Sequence, residues 1–162
     1  MKTVLLLLLS ALILIAGGYD FTEERYLYSI DKTMTMKGHI TFDEKGMQID
    51  YSEPDVRRIV YDGIYMDVTD AKGDTLQHLD LNEQPMMKVY MDFIHKLYRS
   101  DYKALRENFT ITSSATVVNL KPIPPVDKVV KSVEVHRDRA MRLQKIVTKM
   151  SNGDEITLHI AQ

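Results

Sequence analysis

The residues able to do chemistry are scattered along this chain. It has no Cys, which excludes a thiol nucleophile, a disulfide and a lipid-modified cysteine. No G-x-S-x-G elbow is present, and Ser113-Ser114 falls between strands, where it reads as a bend. The five His, at positions 39, 78, 95, 136 and 159, make no H-x-x-x-H or H-E-x-x-H pair. Each sits on the polar side of its element and reads as solvated, so no metal site is expected. Asp20, Glu23, Glu24 and Arg25 form a charged cluster that reads as a solvated edge, and Asn108-Phe109-Thr110 matches a glycosylation sequon. There is no phosphate-binding loop, and a net charge of −2 does not suggest nucleic acid. The expectation is a protein that is not an enzyme and needs no cofactor.

What the chain has in quantity is adaptable apolar side chains: ten Met and nine Tyr, with no Trp. Three of the Met and two of the Tyr fall in Pro85–Arg99, a segment with helical periodicity, with Pro85 in the first turn and Asn82 placed to cap it. On a helical wheel Lys88, Asp92, His95, Lys96 and Arg99 share an arc of about 100°. Met86, Met87, Val89, Tyr90, Met91, Phe93, Ile94, Leu97 and Tyr98 cover about 200°, against the roughly 100° stripe that a surface helix needs. The surplus must meet other elements or a cavity, and Met suits surfaces that accept varied ligands.

The elements around this helix are strands. Phe21–Tyr28 reads as a weak strand or short helix. Met34, Met36, Ile40 and Phe42 alternate with polar residues, as do Met47, Ile49 and Tyr51. Gly38 falls on that apolar face, where it can relieve a bend or leave room for a ligand. Further strands are expected at 58–61, 64–68 and 76–81, with Asp62-Gly63 as a hairpin turn. After a second short helix at 102–108 come strands at 109–112, 115–120, 132–137, 141–150 and 155–160, with Asn152-Gly153 as the clearest hairpin signal. Some nine or ten consecutive antiparallel strands must curl, with one wet face and one apolar face. The fold class expected is α+β: an incomplete, half-open antiparallel β-barrel with a helical lid over an apolar cavity.

The N-terminus reads as a cleaved secretory signal. Lys2 is followed by an almost wholly aliphatic run from Val4 to Ala16, too short for a membrane span, and then by small residues at Ala16-Gly17-Gly18. Residues 1–18 are therefore assigned to the signal and 19–162 to one domain.

Several pieces, in order, resemble the outer-membrane lipoprotein carrier (LolA-like) family. They are Phe21-x-Glu23-x-Arg25-x-Leu27, Lys37-Gly38-His39-Ile40-Thr41-Phe42, and Tyr51-x-x-Pro54-Asp55-x-x-x-Ile59-Val60-x-Asp62-Gly63. The Met-rich helix, Leu105-x-x-x-Phe109-x-Ile111, Val118-x-Leu120-x-Pro122, Ser132-Val133-Glu134-Val135 and Asn152-Gly153-Asp154-x-Ile156-Thr157 follow. The resemblance implies a divergent member: a periplasmic carrier, working as a monomer, that shields acyl chains between inner and outer membrane. Its partners would be an acylated lipoprotein or another acyl lipid, an inner-membrane donor complex and an outer-membrane acceptor. The chain departs from the family where better-known members have W-x-K-R-P. Phe42-Asp43-Glu44-Lys45-Gly46 stands there, without the Arg tied to lid closure. A dedicated carrier of free acyl lipid is a variant of the same reading.

The expected cavity wall is Met34, Met36, Ile40, Phe42, Ile49 and Tyr51 from the sheet, with Met87, Tyr90, Met91, Ile94 and Leu97 from the helix. A periplasmic lipid-sensing or protein-interaction domain of the same fold is the alternative. An enzyme acting on acyl or glycan substrates would need a buried polar pair in that cavity.

Overall fold

The structure is a computed structural model and describes residues 17–161. The signal assigned to 1–18 lies outside the described residues except for Gly17 and Gly18, which pair with Phe42 and Thr41. Among the described residues eleven strands run in chain order, interrupted after the sixth by two helices. They are β1 (Gly17–Leu27), β2 (Lys32–Phe42), β3 (Met47–Glu53), β4 (Arg57–Tyr61), β5 (Tyr65–Asp70), β6 (Thr75–Asp80), α1 (Pro85–Tyr98), α2 (Tyr102–Leu105), β7 (Phe109–Ser113), β8 (Val117–Pro122), β9 (Val130–Arg137), β10 (Leu143–Met150) and β11 (Glu155–Ile160). A 3₁₀ turn at Val126–Lys128 precedes β9, where the sequence suggests one helical turn.

All strands join one antiparallel sheet in the order β6-β5-β4-β3-β2-β1-β11-β10-β9-β8-β7. The sheet is not closed: β6 and β7 are its two edges, and they are consecutive strands in the sequence. The chain between them is α1 and α2. The first and last strands pair at the centre, Phe21 opposite Ile160 and Glu23 opposite Leu158.

Period-two alternation sets which side chains share a face. One cross-strand row on the inner face runs Val68, Ile59, Ile49, Ile40, Tyr19. The neighbouring rows carry the core through Leu158, Ile146, Val135 and Val118. Helix α1 packs on this face and buries Met91, Phe93, Ile94, His95 and Leu97. The Phe93 ring lies 5.0 Å from that of Phe109 on β7.

Three sequence expectations are corrected here. Gln84, not Asn82, precedes the helix; it gives no side-chain cap, and Pro85 takes the first position, where its missing N–H costs nothing. The missing side chain of Gly38 leaves no room for a ligand on the inner face. A Cβ there would fall 2.8 Å from the Phe21 ring and 2.6 Å from the Asp50 carbonyl oxygen, so the notch is filled by Phe21. His95 is not solvated but 8 % exposed, and its Nε2 lies 2.7 Å from the Asp43 carbonyl oxygen, the β2–β3 turn having closed over that part of the polar arc.

Ile40 is fully buried in the middle of its row. Ile40→Ala is expected to cost about 2–5 kcal/mol through lost burial and an unfilled cavity. Urea unfolding should show this as a lower midpoint with an unchanged slope.

Candidate functional site

Beneath α1 the inner face leaves a cavity of about 100 Å³. Its wall is apolar for the most part, with Met47, Ile49, Ile59 and Met66 from one half of the sheet and Ile146, Ile156 and Leu158 from the other. Tyr90, Met91, Ile94 and Tyr98 close it from the helix side. Arg25, Tyr90 and Ile156 also line a second, open space of about 400 Å³. Leu27, Met86, Met87, Val129, Met150 and Asp154 complete that space, which serves as a mouth at the N-terminal end of α1.

The expected wall residues do not all meet the same surroundings. Ile49, Tyr51, Tyr90, Met91 and Ile94 line the inner cavity, and Met87 and Tyr90 line the mouth. Met36, Ile40 and Leu97 are core, at 4 %, 0 % and 1 % exposure, packed against neighbours without facing either space. Phe42 packs on Tyr19, ring centroids 5.7 Å apart. Met34 shares the inner-face parity but is 38 % exposed and lines neither space. A wheel and a strand alternation identify a face; they do not say which part of it is filled by neighbouring side chains.

Sequence reasoning misses a polar group inside the cavity. Glu23, expected on a solvated edge, is 3 % exposed. It stands in an apolar row between Met36 and Leu158. Arg25 donates to Glu23 Oε1 from Nε at 3.0 Å and from Nη2 at 2.7 Å, and the Tyr51 hydroxyl donates to Oε2 at 2.9 Å. The signal is in the parity: Phe21, Glu23, Arg25 and Leu27 share one face of β1, while Asp20 and Glu24 are on the other. The density of charge around Glu23 obscures it.

Burial pushes the phenols around this group up. Tyr90 is raised to about 12, chiefly by desolvation, with the Glu23 carboxylate adding to it and Arg25 opposing. Tyr51 rises further for the same first reason, helped by the charge of Glu23 and its hydrogen bond. Tyr98 rises well above the usual range by desolvation. All three stay neutral hydrogen-bonding groups through the physiological range.

The helix is held on the sheet by polar contacts along one side. The Tyr61 hydroxyl donates to Asp92, and Lys88 Nζ donates to the Gly63 carbonyl at 2.6 Å. Among the described residues no cluster of His, Asp and Glu is placed to hold a metal ion. Ser113 ends edge strand β7, and the Ser114 hydroxyl donates to the Val117 carbonyl in the β7–β8 turn, away from the cavity.

The raised phenols make stability depend on alkaline pH. Below about pH 10 folded and unfolded chains both keep these protons. Above it the unfolded chain loses them, while folded Tyr90 holds its proton up to about 12, so stability falls over that interval. Urea midpoints should drop between about pH 9 and pH 11.5, and less steeply in Tyr90→Phe.

No family model matches the sequence, and no curated protein matches it by sequence. Among solved structures it is similar to a chain of the Pseudomonas aeruginosa MucA/MucB complex, at 12 % identity and a TM-score of 0.44, over 92 % of this chain and 51 % of that one. This chain therefore spans about half the length of that neighbour. It is also similar to a domain from Vibrio parahaemolyticus assigned as an outer membrane lipoprotein-sorting protein, at 10 % identity and a TM-score of 0.41, over 90 % of this chain and 84 % of that one. Likenesses this distant do not place the chain in a family.

Proposed function

We propose that this protein is a carrier that shields the acyl chain of a lipid or lipoprotein, with α1 as the lid over the sheet. The observation that supports it most is the methionine lining. Met47, Met66 and Met91 face the inner cavity, and Met86, Met87 and Met150 face the mouth, six of the ten Met in the chain. Unbranched, polarizable thioethers repack around ligands of varied shape. A space of about 100 Å³ is small beside typical ligand pockets of roughly 300–1,000 Å³, whereas the mouth lies within that range. Loading a long chain then requires α1 to shift outward and the Met side chains to re-pack.

The energetics are sufficient without chemistry. Each buried CH₂ contributes about 0.8 kcal/mol, so ten methylenes give about 8 kcal/mol before ordering costs, on the scale of micromolar binding. The Glu23–Arg25 pair is the kind of buried polar pair an enzyme would need. However, both Glu23 oxygens already accept hydrogen bonds, from Arg25 and Tyr51. The pair serves recognition in this reading. In this reading the N-terminal segment directs export, and the domain works in the periplasm between an inner-membrane donor and an outer-membrane acceptor.

Native mass spectrometry of the protein purified from a periplasm, with lipid extraction of the same sample, tests the proposal. A bound acyl species released on denaturation is expected. A clean apo mass, with no uptake of a fluorescent fatty acid, would overturn it. Met91→Glu, in the cavity wall, should abolish retention with the sheet still folded by circular dichroism. Met87→Glu, 38 % exposed at the mouth, should weaken retention with no loss of stability.

A further inference from the structure

We propose that the Glu23–Arg25 pair selects acyl ligands whose polar linkage is an uncharged hydrogen-bond acceptor, an ester or amide carbonyl, over free fatty acids and alkylamines. This inference rests on the carrier reading and names the ligand class that reading leaves open.

Position comes first. Arg25 lines both the inner cavity and the mouth, so its guanidinium stands at the neck between them, beside Tyr90. A chain inserted through the mouth brings its polar linkage to this point. The Arg25 side chain is 36 % exposed and Glu23 only 4 %, so the Arg face of the pair meets the ligand.

Hydrogen-bond capacity comes next. A guanidinium has five N–H groups. Two are spent on Glu23 Oε1, one from Nε and one from Nη2. The other three, on Nη1 and Nη2, have no side-chain acceptor among the described residues. The Tyr90 hydroxyl, at the same neck, likewise donates to no side chain there. The neck therefore presents several donors and little accepting capacity, since the Glu23 oxygens are taken up by Arg25 and Tyr51.

Charge decides between acceptors. Glu23 cancels the charge of Arg25, and the one other charged side chain lining these two spaces is Asp154. Asp154 is fixed by the Tyr28 backbone N–H and by Asn152 Nδ2, both at 2.9 Å. The lining thus carries one net negative charge. A fatty acid carboxylate would have to be desolvated against that field and share Arg25 with Glu23. An alkylammonium would bring more donors to a donor-rich neck. A neutral carbonyl accepts from Arg25 with no uncompensated charge, and a hydrogen bond to a charged donor of this kind is worth about tenfold or more in affinity.

The test is displacement of the uncharged fluorescent probe N-phenylnaphthylamine by monolauroylglycerol, laurate and dodecylamine at about pH 8, where carboxylate and ammonium are both charged. Monolauroylglycerol should compete at least about tenfold more strongly than either charged ligand. In Arg25→Met the probe should still bind, and the uncancelled Glu23 should turn the preference toward dodecylamine. In Glu23→Gln the uncancelled guanidinium should turn the preference toward laurate. Equal or stronger competition by laurate in the unsubstituted protein, or an Arg25→Met protein that still prefers monolauroylglycerol to dodecylamine, overturns this inference and leaves the carrier reading standing. No binding of the probe or of any ligand overturns the carrier reading, and this inference with it.

Discussion

The chain must travel from one edge of the sheet to the other between β6 and β7, and the rest of the architecture follows from that constraint. In a closed barrel two such edges would pair. Here α1 and α2 occupy the connection, so the sheet stays open and its apolar inner face needs another cover. A helix with an ordinary stripe would serve a narrower seam. Helix α1 instead meets the sheet over much of its circumference, from Phe93 on Phe109 to Tyr61 on Asp92. The surplus apolar width in its sequence is the local counterpart of an unclosed sheet.

Packing is uneven along that contact. Toward the C-terminal half of α1, Phe93, Ile94 and Leu97 are buried at 6 % exposure or less. Toward its N-terminal end Met86 and Met87 are exposed at 36 % and 38 %. The cavity and its mouth lie where tight packing gives way to adaptable side chains. One end of the helix is thus anchored by aromatic and aliphatic packing, while at the other Lys88 donates to Gly63 and the Met side chains stay exposed.

The polar pair inside the wall is costly by any reckoning of burial. Exchanging a buried ion pair for hydrophobic residues is often neutral or stabilising, so such a pair is weak grounds for stability. Its geometry is well satisfied on the Glu23 side and open on the Arg25 side. That asymmetry is the observation on which the proposed recognition role rests.

Much of the architecture is legible locally. Alternation at Met34–Phe42 and Met47–Tyr51, the glycine turn at Asn152-Gly153 with Gly153 at a φ of 95°, and the helix beginning at Pro85 each depend on neighbours a few residues away. So does the identity of the apolar face, because strand parity and helical angle are properties of the chain itself. What the tertiary structure alone decided is which of those residues meet empty space. Ile40, Leu97 and Met36 share a face with Ile49, Met91 and Tyr51, yet only the second three border the cavity. Glu23 reads as solvated in the sequence because neighbouring charges ordinarily face water. Its burial depends on β11 pairing with β1 and α1 lying above, contacts between segments far apart in the chain. Periodicity determines the direction a side chain takes from its backbone; only the packing of distant segments determines what it meets there.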